Sequence, residues 1–200
     1  MYSKLAPKED KVNAAKNILA EGITKNPDRL DLRVGKAYLH LQLAEYALAA
    51  QEMQSALERS VLNGDKWTGA LDAPIESDSE AGLEGSVQTF FYELANTEDL
   101  APAGSLVDTA IRLYPRNPIY LADKAAVCYF SGDLEEAVKW YVSALEIAPD
   151  DMLIASNVAH IYEDLGDKQN AVKYYRIVAA SGDEEFAGEA DDKIRELTAE

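Results

Sequence analysis

The 200-residue sequence is short of nearly everything that would announce a reaction or a covalent scaffold. A single cysteine, Cys128, excludes an intrachain disulfide framework and fits a reducing compartment. Two histidines, His40 and His160, leave little material for a metal site. Eleven glycines and seven prolines, with no run of either, exclude collagen-like and Pro-rich linker classes. No stretch approaches the roughly 18 consecutive apolar residues that a bilayer span needs, and Met1 to Pro7 lack the apolar stretch of a secretory signal. There is no Asn-x-Ser/Thr acceptor, calcium-loop spacing, phosphate-binding glycine loop or Cys-x-x-Cys. Cations are scarce too: 19 Lys and Arg face 36 Asp and Glu, a formal charge of −17. Such a chain repels phosphate backbones and anionic lipid, so neither nucleic acid nor membrane insertion is expected. The expectation is a soluble, non-enzymatic protein without a cofactor or metal. It is cytoplasmic, or periplasmic or extracellular if an upstream signal has been removed.

What the chain does have is apolar content, 48% of its residues, enough for a folded core despite the charge. The charge is lopsided. Residues 1–70 hold ten Lys and Arg against nine Asp and Glu, whereas residues 71–200 hold nine against twenty-seven. Beneath the charge runs a period. The stretch Gly132-Asp133-Leu134-Glu135-Glu136-Ala137-Val138-Lys139-Trp140-Tyr141 aligns with Gly166-Asp167-Lys168-Gln169-Asn170-Ala171-Val172-Lys173-Tyr174-Tyr175 at an offset of 34. The same ruler picks out Ala15, Ala49, Ala103, Ala137 and Ala171, with steps of 34, 54, 34 and 34, the long step being one period plus 20 residues. Four residues after each alanine stands a large apolar side chain (Leu19, Met53, Val107, Tyr141, Tyr175), and three further on a small or compact one (Gly22, Ala56, Ala110, Ala144, Val178). That spacing is one face of a helix. Pro27, Pro115 and Pro149 end three of these helices, while Val61 and Asp183 take the proline's place in the other two.

An earlier helix precedes each of the later four. Its small positions are Ala37, Phe91, Ala125 and Ala159, with His40, Leu94, Cys128 and Tyr162 one turn on. Phe91 breaks the small-residue rule, so its repeat is expected to pack differently. Gly132 and Gly166 suit left-handed helix caps, each followed by an Asp as N-cap, and connections this short fit antiparallel helix pairs.

A 34-residue helix–turn–helix unit with small, aromatic, alanine and proline residues at these spacings resembles the tetratricopeptide repeat (TPR). The resemblance spans about residues 10–185 and is fullest over 118–151 and 152–185. It implies an all-α, right-handed superhelical solenoid of antiparallel helix pairs. The expected layout is one domain over 1–200: a lone second helix at 9–27, repeats at 30–63, 84–117, 118–151 and 152–185, an acidic insert at 64–83 and a capping helix at 186–199. One helix pair cannot cover its own apolar face, so units must stack and the ends need caps. Residues 10–25 lack a preceding mate, and the flank of Val12, Ile18 and Leu19 offers a homodimer contact. At the other end, Asp183-Glu184-Glu185 opens a helix with Phe186, Ala190, Ile194 and Leu197 on one stripe and charge on the other.

The insert carries five acids and one lysine, and Ser77-Asp78-Ser79-Glu80 reads as a capping box that starts the next helix near residue 78. Either Trp67 and Leu71 pin this loop onto the repeats, or the loop is a flap over a groove. Of the chemical groups, His40 reads as a satisfied core imidazole and Cys128 as a small buried hydrophobe. Asp150-Asp151 reads as a helix-start cap rather than a metal site. His160, with Glu163 and Asp164 near it, is either a groove contact or, with ligands from another helix, a metal or acid–base centre.

In the family, first helices line a concave groove that binds peptides or protein segments. The resemblance carries this role onto Tyr38, Tyr92, Ala126 and His160 in one row; Leu41, Ala95, Tyr129 and Glu163 in a second; and Val34, Gln88, Ala122 and Ser156 in a third. Asp31, Gly85, Ile119 and Leu153 lie near the helix starts. None of these sixteen is Lys or Arg, and only Asn157 lies close by, which disfavours the acidic chaperone tails that some such arrays clamp. The expected partner is a polypeptide with apolar anchors flanked by Lys or Arg. Two rival readings stand beside this one: a scaffold that self-associates through residues 10–25, and a metal-binding or enzymatic protein around His160.

Overall fold

The computed structural model describes residues 8–76 and 82–199. Ten α-helices and one short hairpin fill those residues, in two compact units that divide between Leu113 and Tyr114. The first unit holds α1 (Lys8–Lys25), α2 (Leu30–Gln42), α3 (Tyr46–Asn63), the strands β1 (Trp67–Thr68) and β2 (Pro74–Ile75), α4 (Leu83–Ala95) and α5 (Ala101–Leu113). The second holds α6 (Pro118–Phe130), α7 (Leu134–Leu145), α8 (Met152–Asp164), α9 (Lys168–Ala179) and α10 (Glu184–Thr198).

The alanine ladder is the inner seam of these units. Ala49, Ala103, Ala137 and Ala171 are fully buried, as are Met53, Val107, Ala56, Ala110 and Ala144 on the same faces. Ala37, Ala125 and Ala159 are equally buried on the opposing helices. A methyl group is all that separates neighbouring backbones there, which sets how closely the helices approach. Phe91 occupies the corresponding place in α4 and is also fully buried beside Phe90, so a ring fills the space that a methyl leaves open elsewhere. The edge of Tyr38 meets the Phe90 ring at 4.5 Å between centroids. Cys128 departs from its expected place. It is only half-buried, because at the end of α6 its side chain lies at the border of the packed stripe.

Turn chemistry explains where the helices start. In the second unit Gly132 (φ +83°) and Gly166 (φ +75°) adopt the left-handed conformation that a Cβ would disfavour. The carboxylates that follow cap the next helices: Asp133 accepts from the Glu136 amide at 3.2 Å and Asp167 from the Asn170 amide at 3.0 Å. Asp151 caps α8 through the amides of Leu153 and Ile154, and Asp183 caps α10 through those of Glu185 and Phe186. The α2–α3 turn has no such pair. Ala44 takes the left-handed position instead (φ +57°), and Glu45 makes no capping bond. Its carboxylate accepts from Lys16 Nζ at 2.7 Å and from buried His40 Nδ1 at 2.6 Å, tying α1, α2 and α3 together. The Lys16 ammonium, then the His40 imidazole, hold the Glu45 carboxyl below its ordinary value. Where Val61 stands for a proline, α3 runs on to Asn63 and stops at left-handed Gly64.

The expected loop after α3 is a hairpin. Trp67 pairs with Ile75 and Thr68 with Pro74, and the Thr68 amide donates to the Asp28 carbonyl at 3.0 Å in the α1–α2 turn. Trp67 is 2% exposed, donates from Nε1 to Ser60 Oγ at 3.0 Å, and lies 6.0 Å from the Arg33 guanidinium. Arg59 Nε donates to Asp28 Oδ1 at 2.7 Å and Asn63 Nδ2 donates to the same atom at 3.2 Å, closing the seam from the α3 side. Trp67 therefore pins the insert as expected, whereas Leu71 does not: it sits on the hairpin tip, 98% exposed, at φ +60°. The capping box at 77–80 lies outside the described residues, and α4 begins at Leu83 after Gly82.

Two buried side-chain oxygens among the described residues have no hydrogen-bond partner, Asn63 Oδ1 and Asp123 Oδ2, and the second belongs to a carboxyl. Asp123 in α6 is 4% exposed, its Oδ2 meets no hydrogen-bond donor among the described residues, and burial pushes its carboxyl up to about 8. Two outcomes follow for the fold. Trp67→Ala, which removes a buried indole and the bond its Nε1 donates to Ser60, should cost about 3–5 kcal/mol in chemical denaturation. Because the folded Asp123 carboxyl is raised above its unfolded value of 3.8, it holds a proton that the unfolded chain releases. Its contribution is whole below pH 4 and is lost as the pH rises through about 8, whereas the contribution of lowered carboxyls such as Asp28 and Glu45 is whole at neutral pH and is lost only as the pH falls into acid. Stability should therefore fall between pH 5 and 8 with a slope of up to about 1.4 kcal/mol per pH unit, and Asp123→Asn should flatten that slope.

Candidate functional site

Each unit presents one row of exposed rings. In the first, α2 and α4 leave Tyr38 37% and Tyr92 55% exposed, with Val34, Leu41 and Gln88 half-buried beside them. In the second, α6 and α8 leave Tyr129 39% and Leu153 57% exposed and His160 open to solvent, with Ile119, Ala122, Ala126 and Ser156 half-buried. None of the twelve is buried. The reason is the helical period: each lies one or two residues off the alanine stripe, at the edge of the face that packs.

Two cavities bring some of these side chains together in the second unit. One of about 190 Å³ is lined by Tyr129, Tyr141, Asn157, His160 and Ile161. A second of about 270 Å³ lies among α8, α9 and α10, with Ser156, His160, Tyr175, Val178 and Phe186 on its walls and Glu189, Asp192, Lys193 and Glu196 among its remaining lining residues. His160 lines both, its ring edge-on to Tyr175 at 5.6 Å. Ile119, Ala122, Ala126 and Leu153 line neither cavity.

Glu163, which lines neither cavity, ties together two residues that line the larger one. Its carboxylate accepts from the Tyr175 hydroxyl through Oε2 and from Lys193 Nζ at 3.0 Å through Oε1, so one side chain ties α8 to α9 and α10. Burial works to raise the Glu163 carboxyl, but these two donors outweigh it and hold it below its ordinary value. The Tyr175 hydroxyl is raised well above the usual phenol, by burial first and then by the carboxylate it faces. Tyr129 adds a long contact, donating to Asp164 Oδ2 at 3.4 Å. Among the described residues no group of three or more His, Cys, Asp or Glu side chains gathers in a way that could hold a metal ion. No helix among them is long and apolar enough to cross a membrane.

Sequence reasoning missed the α10 side of the larger cavity because the helix reads as a solubilising cap. The signal was present: one more step of 34 carries Ser156 onto Ala190, which is 2% exposed and lines the cavity.

Comparison with known proteins follows the same period. A tetratricopeptide-repeat family profile matches residues 120–151 and 155–176. The TPR repeat-containing thioredoxin TTL4 of Arabidopsis thaliana is 36% identical over 115 residues, which is 57% of this chain and 16% of that protein. The chain thus spans about a sixth of the plant protein's length. Among solved structures, a thermophilic TPR protein of Thermus thermophilus superposes with a TM-score of 0.54 at 17% identity, covering 92% of this chain and 91% of that one. MamA superposes with a TM-score of 0.52 at 14% identity, covering 98% and 99%. Likenesses of that degree show the fold: an all-α array of stacked helix pairs.

Proposed function

We propose for this tetratricopeptide-repeat protein a role as a non-catalytic interaction module that binds a polypeptide segment on the faces carrying its exposed tyrosines. The observation that supports this most is the exposure of Tyr38, Tyr92 and Tyr129, each directly after a position of the packed stripe, with Phe130 exposed beside Tyr129. Tyrosine buries a large area with few rotatable bonds and keeps a polar tip, so it serves contacts that must form from water. The proposed binding residues are Val34, Tyr38, Leu41, Gln88 and Tyr92 on one unit and Ile119, Ala122, Ala126, Tyr129, Leu153, Ser156 and His160 on the other. The acidic excess favours a segment whose apolar anchors are flanked by Lys or Arg and disfavours nucleic acid.

Affinity capture from the native source tests this reading. Replacing Tyr92 and Tyr129 with alanine should lower recovery of the captured partner by about tenfold, the cost of losing aromatic anchors, with unchanged helical circular dichroism. Undiminished recovery removes the tyrosine faces from the account.

A second reading, a scaffold that self-associates through residues 10–25, is favoured by one feature. Ile18 of α1 is 70% exposed, although Leu19 beside it reaches the α2 backbone near Gly35. On this reading light scattering of the concentrated chain gives a dimer mass that Ile18→Glu returns to monomer; a monomer at every concentration ends it.

A further inference from the structure

We infer that the cavity among α8, α9 and α10 seats one Lys or Arg side chain of the bound segment, held along its hydrocarbon stem by rings and at its cationic end by carboxylates of α10. The inference rests on the polypeptide-binding reading of the second unit and names the chemistry that one subsite selects.

The walls are apolar where a stem would lie. Tyr175, Val178 and Phe186 line the cavity, and the His160 ring stands edge-on to Tyr175. A flexible four-carbon or three-carbon stem buries along such surface while its charged head stays near water. Ring faces add attraction for a cation within about 6 Å.

The carboxylates sit on one helix. Glu189, Asp192 and Glu196 of α10 line the cavity, at i, i+3 and i+7 on a single helical face. The one cation among the lining residues is already engaged: Lys193 Nζ donates to Glu163 at 3.0 Å, and Glu163 also holds the Tyr175 hydroxyl. Asp192 meets Arg195 at 3.0 Å, but both side chains are about three-quarters exposed, so water screens that pair. Neither Glu189 nor Glu196 reaches a cation within ion-pair distance among the described residues. The Lys193 ammonium also attracts Glu196 from beyond contact distance, but three carboxylates against that one cation leave the lining negative beside apolar walls. The surrounding unit does not offset it, since residues 114–200 hold eight Lys and Arg against eighteen Asp and Glu. An acidic or purely apolar side chain would leave those carboxylates repelled or idle. A guanidinium or ammonium satisfies them with charge-assisted hydrogen bonds.

His160 gives this subsite a neighbour. Because the same ring lines the smaller cavity beside Tyr129, Tyr141 and Ile161, a segment crossing His160 would set an apolar residue on one side and the basic residue on the other.

The test uses random peptides of about twelve residues displayed on phage, selected on the whole chain and on its Glu189→Gln/Glu196→Gln variant. Both variant positions are solvent-facing, and circular dichroism checks that the variant keeps its helices. Selection on the native chain should enrich peptides that pair an apolar anchor with a Lys or Arg; selection on the variant should keep the anchor and lose the basic residue. A synthesised winner with its basic residue replaced by citrulline or norleucine should then bind the native chain about tenfold more weakly and the variant almost unchanged. Native winners with anchors but no basic residue overturn the subsite and leave the polypeptide reading standing. So does a basic residue that the variant requires as strongly as the native chain. No enrichment on the native chain defeats both.

Discussion

Close approach of helix backbones is the constraint from which the rest of this structure follows. Seven alanines, Ala37, Ala49, Ala103, Ala125, Ala137, Ala159 and Ala171, are fully buried where neighbouring helices meet. A larger side chain at any of them would push two backbones apart, and interiors packed this tightly transmit such strain rather than absorb it. Once the small residues fix which stripe of each helix faces inward, the residues one or two places off the stripe are left at its edge. Tyr38, Tyr92, Tyr129 and His160 are exposed for that reason, and the surface they offer is a by-product of the packing register.

The same turn is built in two ways. In the second unit Gly132-Asp133 and Gly166-Asp167 combine a residue free to be left-handed with a carboxylate that caps the next helix. In the first unit Ala44 occupies the left-handed position at some steric cost, and the Lys16–Glu45–His40 buckle supplies the tie instead. The insert is likewise held by side chains rather than by turn geometry. Buried Trp67, bonded to Ser60 and facing Arg33, fastens a two-stranded hairpin to the end of α3 and the start of α2, so the longest departure from the period adds to the core of its unit.

Charge in the second unit is divided between one carboxylate that ties helices together and a row of carboxylates on α10. Glu163 uses its carboxylate to hold three helices, with Tyr175 and Lys193 as donors. The carboxylates of α10 lie outside that network and border a cavity with aromatic and aliphatic walls. The proposed binding of a basic, apolar-anchored segment rests on this combination of an acidic surface with apolar rings, which select by sign of charge and by shape together.

The period was open to sequence reading because it is local: the second helix of each pair repeats the same spacing of alanine and large apolar residue, and helical geometry turns that spacing into a face. The Gly-Asp turns and the caps at Asp151 and Asp183 were legible for the same reason, since a cap involves residues two or three apart. Other features depend on side chains far apart in the chain. Lys16 meets His40 only through Glu45, the hairpin exists because Thr68 finds Asp28, and Leu71 is stranded at a tip although its composition suggested an anchor. The α10 helix shows the division most plainly. Its amphipathic stripe was readable from Phe186 to Leu197, but that stripe cannot say whether the opposite face meets only water. Lys193 meets Glu163, thirty residues away, and the carboxylates of α10 border a cavity, and only the packed structure decides that.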